Sequence, residues 1–174
     1  MYRATSSLHR RNTGIAVFAL TLSLVGASAR PASFEQALVL SGMEGRTLER
    51  ARARAVALLE RDECRKVFAD FTDAEGRTLQ EKLDALGQTP AEYLGAVHFL
   101  NGEVQPLCRR STVQMVTTGK SLYVYVCPQF LQFQDRRPEL APVLVIHEAL
   151  HTLGLGENPP TPMEITSRIY GRCQ

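Results

Sequence analysis

The sequence predicts an α+β fold in which helices come first, a small β-sheet follows and a buried helix and a short C-terminal helix end the chain. Three observations lead to this prediction. Residues 44–86 have mostly helical periodicity, and residues 111–126 are rich in Val, Thr and Tyr. Leu140–Leu153 is a mostly apolar stretch that is longer than an ordinary strand.

The composition is that of an ordinary globular protein. The chain has 174 residues, of which 44% are hydrophobic and 22% charged, and its formal net charge is +2. Residues 1–29 contain three arginines and no acidic residue, so the 17 basic and 18 acidic residues of the rest give −1. Because the body of the chain has no basic excess, we expect no nucleic-acid partner.

The first 29 residues have the pattern of a signal peptide. Arg10 and Arg11 precede the apolar run Ile15–Val25, and Ala27-Ser28-Ala29 supplies a small-x-small cleavage site. A membrane anchor would need about 20 apolar residues, so we expect cleavage after Ala29 and no stable membrane insertion afterwards. The protein is then secreted or periplasmic, and residues 30–174 are expected to form one domain and a monomer.

All four cysteines lie in this exported part. An even number in an oxidising compartment predicts two disulfides, and the sequence leaves all three connectivities open. Their spacings of 44, 19 and 46 residues do not fit the Cys-x-x-Cys pairs of a thiolate zinc site. The disulfide candidates are Cys64, Cys108, Cys127 and Cys173.

Before the sheet, periodicity predicts a short helix over Phe34–Met43 and a longer one over Glu44–Ala69. Asp70–Gly76 is turn-rich and is interpreted as a connection. The helical pattern returns at Thr78–Leu86 and ends at Gly87, since glycine commonly follows the last helical residue.

The Val-, Thr- and Tyr-rich region predicts a β-hairpin. Its strands are Ser111–Thr117 and Ser121–Val126, joined by Thr-Gly-Lys. In the second strand, aliphatic residues at positions 122, 124 and 126 alternate with Tyr123 and Tyr125, so its aliphatic face is expected to enter the core. His98 has apolar neighbours and is also expected to be packed.

The apolar helix Leu140–Leu153 contains His147-Glu148-Ala149-Leu150-His151, an H-E-x-x-H motif. Residues four apart share one face of a helix, so the two imidazoles can bind one metal ion. Zinc favours nitrogen ligands, and Glu148 would reach a water at the open position of the metal. In that position the glutamate can act as general base.

The motif continues through Gly154 to Glu157 and resembles the metzincin signature, in which a glycine ends the helix and a third ligand follows. The resemblance implies one Zn²⁺ bound by His147, His151 and Glu157. Glycine suits this place because a positive φ takes the chain out of the helix.

The surroundings are also similar to deuterolysin-like aspzincins, because a Tyr-rich strand ending in Cys127-Pro128-x-Phe130 precedes the apolar helix. In that group the third ligand is an acid farther downstream, near a Tyr-Gly pair. Glu164 and Tyr170-Gly171 are the nearest equivalents, so Glu164 is the alternative third ligand. Thr161-x-x-Glu164 also fits a helix capping box, which favours Glu157 as the ligand.

These resemblances imply a zincin-like fold and an exported zinc metalloendopeptidase that hydrolyses peptide bonds in a peptide or protein substrate. Glu148 would be the general base, Tyr170 an oxyanion stabiliser, and Tyr123–Val126 a core or edge strand of the sheet that pairs with substrate. Two alternatives remain open, namely a non-catalytic zinc-binding exported domain and a disulfide-stapled interaction protein in which the motif is coincidental.

Overall fold

Within the described residues, the predicted helices and strands occur in the predicted order, together with two helices and one strand that were not predicted. The computed structural model describes Leu40, residues 42–119 and residues 121–174, and within them it is α+β, with seven α-helices and a three-stranded sheet. The predicted signal peptide, residues 1–29, lies outside the described residues, as does most of the predicted helix Phe34–Met43. The elements are α1 Gly42–Leu59, α2 Asp62–Arg65, α3 Leu79–Leu86, α4 Pro90–Ala96, β1 His98–Asn101, β2 Met115–Thr117, β3 Tyr123–Val126, α5 Gln129–Arg136, α6 Ala141–Thr152 and α7 Pro162–Cys173.

The predicted long helix Glu44–Ala69 is divided, which corrects the sequence-based expectation. α1 ends at Leu59, Arg61 is extended with ψ 133°, and α2 leads into a 3₁₀ turn. The break allows Cys64 and Phe68 to be fully buried, because the chain changes direction toward the core. Periodicity alone missed it since the apolar spacing continues on both sides.

The helix predicted over Thr78–Leu86 and its stop at Gly87 are confirmed, and Thr78 is the N-cap. The Thr78 hydroxyl accepts from the backbone N–H of Glu81, whose carboxylate accepts from the N–H of Thr78. Gly87 ends α3 in the left-handed conformation with φ 65°.

The hairpin is confirmed, with strands shorter than predicted. β2 pairs antiparallel with β3, β1 pairs parallel with β3, and the strand order is β1-β3-β2. Val124 and Val126 are buried as expected, but Leu122 precedes the strand and is 39% exposed. The packed position expected for His98 is wrong, because His98 lies exposed on the edge strand β1 and stacks on Tyr123.

The expected buried helix is confirmed as α6, which packs against α1, α7 and β2. Ten of its 12 residues are buried, including His147 and Glu148. This central position fixes the orientation of α6, because a rotation of the helix about its axis would disrupt the packing of buried apolar side chains on several faces.

The two predicted disulfides are present. All four cysteines lie among the described residues and are paired, Cys64 with Cys173 and Cys108 with Cys127. The first ties the end of α7 to α2, and the second closes the segment that contains the hairpin. Such disulfides are typical of proteins in oxidising compartments. Within the described part of the chain, no helix is both long and apolar enough to cross a membrane.

Candidate metal centre

Three donor side chains converge at the end of α6. His147 and His151 lie one helical turn apart, and their Nε2 atoms are 3.7 Å and 3.2 Å from Oε1 of Glu157. All three donor atoms lie within 4.8 Å of one another. These residues could therefore hold one metal ion.

Glu157 reaches the histidines because α6 ends in a Schellman turn. The N–H of Leu155 donates to the carbonyl of Leu150, and the N–H of Gly154 donates to that of His151. Gly154 has φ 106°, the conformation that its position after the motif predicts. The chain thus leaves the helix and turns back, whereas a continued helix would carry Glu157 away from the histidines.

Hydrogen bonds on the opposite ring nitrogens orient both imidazoles. Nδ1 of His151 donates to the carbonyl of Leu155 at 2.8 Å, which leaves a lone pair on Nε2. That Nε2 is buried and has no hydrogen-bond partner among the described residues. Nδ1 of His147 is 3.0 Å from the Thr166 hydroxyl. Such partners fix the orientation of metal-binding histidines.

The electrostatic setting favours neutral imidazole at His147. Burial, together with the charge of His151, lowers the pKa of His147 to about 3. A neutral ring keeps the lone pair that a metal ligand requires.

Glu148 lies beside the donor cluster and is only 9% exposed. Burial raises its pKa above the ordinary value of a glutamate, while a hydrogen bond from the Thr117 hydroxyl to Oε2, 2.6 Å long, opposes this shift. The carboxylate is therefore more basic than a solvated one and is held in one orientation by β2.

A cleft of about 900 Å³ opens over the donor cluster. One wall consists of α6, the turn after it and the start of α7, and the other consists of residues 107–119. The strand along this cleft is β2, an edge of the sheet. The predicted substrate strand Tyr123–Val126 is instead the central strand, paired on both sides, so it has no free edge for a substrate.

The structure does not bring the alternative ligand Glu164 to the cluster. Its Oε2 accepts hydrogen bonds from the backbone N–H and the hydroxyl of Thr161, both 2.8 Å long, as a capping box requires. The Thr161 backbone N–H, and then its hydroxyl, lower the pKa of Glu164. The Glu164 carboxylate therefore has its hydrogen-bond partners at the N-terminus of α7 without a metal.

Tyr170 is also not at the cleft, which corrects its predicted role as oxyanion stabiliser. It lies one turn after Thr166 on α7 and lines a different groove, beside Pro142 and Val143 of the first turn of α6. The sequence does not say which part of α7 faces the histidines, since this depends on how α7 crosses α6.

An ionic clamp formed by Lys82 and Asp73, which precede the sheet in sequence, holds the turn that presents Glu157. The sequence did not predict this clamp. The Lys82 ammonium donates to the carbonyl of Leu153, the C-cap residue of α6, and lies 3.3 Å from Oδ2 of Asp73. Asp73 also pairs by its backbone with Leu155. The Asp73 carboxylate is buried, which by itself raises its pKa, but hydrogen bonds from Arg77 and Lys82 hold the pKa well below the ordinary value.

Comparison of the chain with known protein families, curated protein sequences and solved structures found no match.

Proposed function

We propose that this protein is an exported, zinc-dependent metallopeptidase whose metal ligands are His147, His151 and Glu157. One observation supports this most strongly: two imidazole nitrogens and a carboxylate oxygen converge beside a buried glutamate at the wall of the cleft. The resemblance of the same residues to the metzincin signature agrees with it.

The donor set fits zinc. Ligand atoms about 2.0–2.1 Å from a tetrahedral ion are about 3.3 Å apart, and the distances of 3.2 Å and 3.7 Å from Glu157 Oε1 to the histidines bracket that value. The unpartnered Nε2 of His151 gains a partner in this way. When bound, the ion lowers the pKa of a coordinated water toward about 7 and polarises a substrate carbonyl.

The chemical step that we assign to the protein is proton transfer by Glu148. Its carboxylate accepts a proton from the attacking water as the oxygen bonds to the carbonyl carbon, and it then donates that proton to the amine nitrogen as the C–N bond breaks. Thr117 holds Oε2 by a hydrogen bond, so Oε1 is the oxygen free to take the proton. The second hydrogen of the water stays on the new carboxyl group and is lost when that group ionises, so the products are a carboxylate, an amine and one proton.

The edge strand β2 provides a place for an extended substrate. Among the described residues, Met115–Thr117 pair with β3 and with no other strand, and all three line the cleft. Backbone groups on the free side can hydrogen-bond to a peptide as an added strand. Thr117 ends this strand next to Glu148, so a peptide bound along it passes the general base.

The test compares the wild-type protein with Glu148→Gln. The secreted wild-type protein should contain about one zinc per chain and cleave peptides, and chelation should remove both metal and activity. Glu148→Gln should retain the metal and lose about 10²–10⁴-fold in kcat, because the amide keeps the shape but not the basicity.

Two other outcomes would contradict the proposal. Metal bound tightly without turnover in the wild-type protein would indicate a non-catalytic zinc-binding domain. A folded protein that binds no metal would indicate a disulfide-stapled interaction protein.

A further inference from the structure

The charged side chains of the cleft are unevenly placed. Both lining carboxylates lie at the candidate metal centre, Glu157 as a donor residue and Glu148 beside the donors. Among the described residues that line the rest of the cleft, Arg110 is the only ionisable one, and the others are apolar or uncharged polar. Away from the metal centre, the described lining residues therefore carry one positive charge and no negative charge.

Arg110 is available to a ligand. Its side chain is exposed, and within the described part of the chain it has no hydrogen-bond or ion-pair partner. A guanidinium presents parallel N–H donors that match both oxygens of a carboxylate. Since no neighbouring acid occupies these donors, a bound carboxylate need not displace one.

The backbone holds Arg110 firmly at this place. The Cys108–Cys127 disulfide lies two residues before it, and the Cys108 carbonyl accepts a 2.8 Å hydrogen bond from Gln129. The N–H of Arg110 donates to Leu107, and its carbonyl accepts from Val113. Little backbone entropy remains to be lost when the side chain binds a ligand.

We propose that Arg110 is an anion subsite of the cleft and that the substrates are extended peptides with a carboxylate at the position that reaches it. This inference rests on the proposed peptidase function and adds the substrate class. The carboxylate belongs either to an acidic side chain or to the C-terminus of the peptide, and both present the same group to the guanidinium.

The test measures peptide binding, so that its outcome does not depend on turnover. Fluorescently labelled peptides with blocked ends carry one glutamate that is moved stepwise along the chain, with glutamine and lysine counterparts. They are titrated, in the presence of zinc, into the Glu148→Gln protein. We expect one glutamate register to bind about three- to tenfold more tightly than its glutamine counterpart, and this preference should shrink at high salt.

Charge reversal separates a direct contact from a loss of folding. Arg110→Glu, made in the same background, should abolish the preference for glutamate and favour the lysine peptide, which an unfolded protein cannot do. Arg109→Glu is the matched control, because Arg109 is exposed but does not line the cleft, and it should keep the wild-type preference.

A further peptide set with a free C-terminus and no acidic side chain identifies the source of the carboxylate. Tighter binding of this set, lost in Arg110→Glu, would assign the subsite to the C-terminal carboxylate. Equal binding of all charge variants, no binding at all, or equal effects of Arg109→Glu and Arg110→Glu would overturn the inference. Absence of cleavage by the wild-type protein would instead contradict the peptidase proposal and leave the binding result to decide on Arg110.

Discussion

The two walls of the cleft are held in different ways. The helix wall consists of α6, the turn after it and the start of α7. Thr166 contacts His147, and the Leu155 carbonyl accepts a hydrogen bond from His151. Lys82 holds the turn between His151 and Glu157 through the Leu153 carbonyl. The hairpin wall, residues 107–119, is fixed by the Cys108–Cys127 disulfide and by pairing of β2 with β3.

The difference indicates a division of roles between the walls. The helix wall sets the positions of the metal ligands, whereas the hairpin wall orients the general base, through the bond from Thr117 to Glu148, and provides the strand for the substrate. Substitutions of the candidate ligands and of the residues that hold them in place should therefore change metal affinity, whereas substitutions in the hairpin wall should change turnover or substrate binding with the metal retained.

The largest effect is expected for His151→Ala. Loss of this ligand should weaken zinc binding by more than about 100-fold, since even outer-shell substitutions cost about 10–100-fold. Competition with a chelator measures the affinity. His98→Ala is the matched control, because His98 is exposed on β1 outside the cleft, and it should leave the affinity unchanged.

A second comparison tests the two acidic residues that the sequence offers as third ligand. Glu157→Ala should lose most of the zinc affinity with little change in Tm of the metal-free protein. Glu164→Ala should lower Tm by a few degrees, because it removes a capping box, and should keep the metal. The reverse pattern in chelator competition and thermal unfolding would make Glu164 the ligand.

Loss of the ionic clamp formed by Lys82 and Asp73 should have an intermediate effect on zinc affinity. Lys82→Met removes the bond to the Leu153 carbonyl, so the turn that presents Glu157 should loosen and zinc affinity should fall about tenfold. Arg77→Met is the control, since Arg77 contacts the same Asp73 carboxylate but is not bonded to Leu153. If both variants bind zinc equally, the clamp does not position Glu157.

The smallest effect is expected for Thr117→Val, in the hairpin wall. The valine has the same shape but cannot donate to Glu148, so kcat should fall about tenfold while zinc content and KM change little. Thr117→Ser should restore activity because it keeps the hydroxyl. Thr112→Val serves as a control at another cleft threonine, and a loss of zinc from Thr117→Val would contradict the division between the walls.

Much of the helix wall could be predicted because its determinants are close together in sequence. The spacing of His147 and His151 follows from the helical period, and the positive φ of Gly154 is one that glycine readily adopts. Glu157 follows His151 by six residues, and the capping role of Glu164 depends on Thr161, only three positions away. Such short-range geometry changes little with the rest of the fold.

The predictions that failed depended on which face of an element meets which neighbour. The predicted role of Tyr170 requires it to face the histidines, but α7 crosses α6 so that Thr166, one turn earlier, meets His147. His98 has apolar neighbours, yet it lies exposed on an edge strand. Periodicity identifies an apolar face but not the partner that covers it.

The sequence by itself determined the α+β order of elements, the donor residues at the end of α6 and the presence of two disulfides. Only the tertiary structure decided which cysteines pair, which strand lies along the cleft, and that Thr117, Thr166 and Lys82 brace the candidate centre. Thr117 and Glu148 are 31 residues apart, and Lys82 and Leu153 are 71 apart. Contacts over such distances have no local signature, because they form only when burial of α6 against α1, α7 and β2 fixes the position of each element relative to the others.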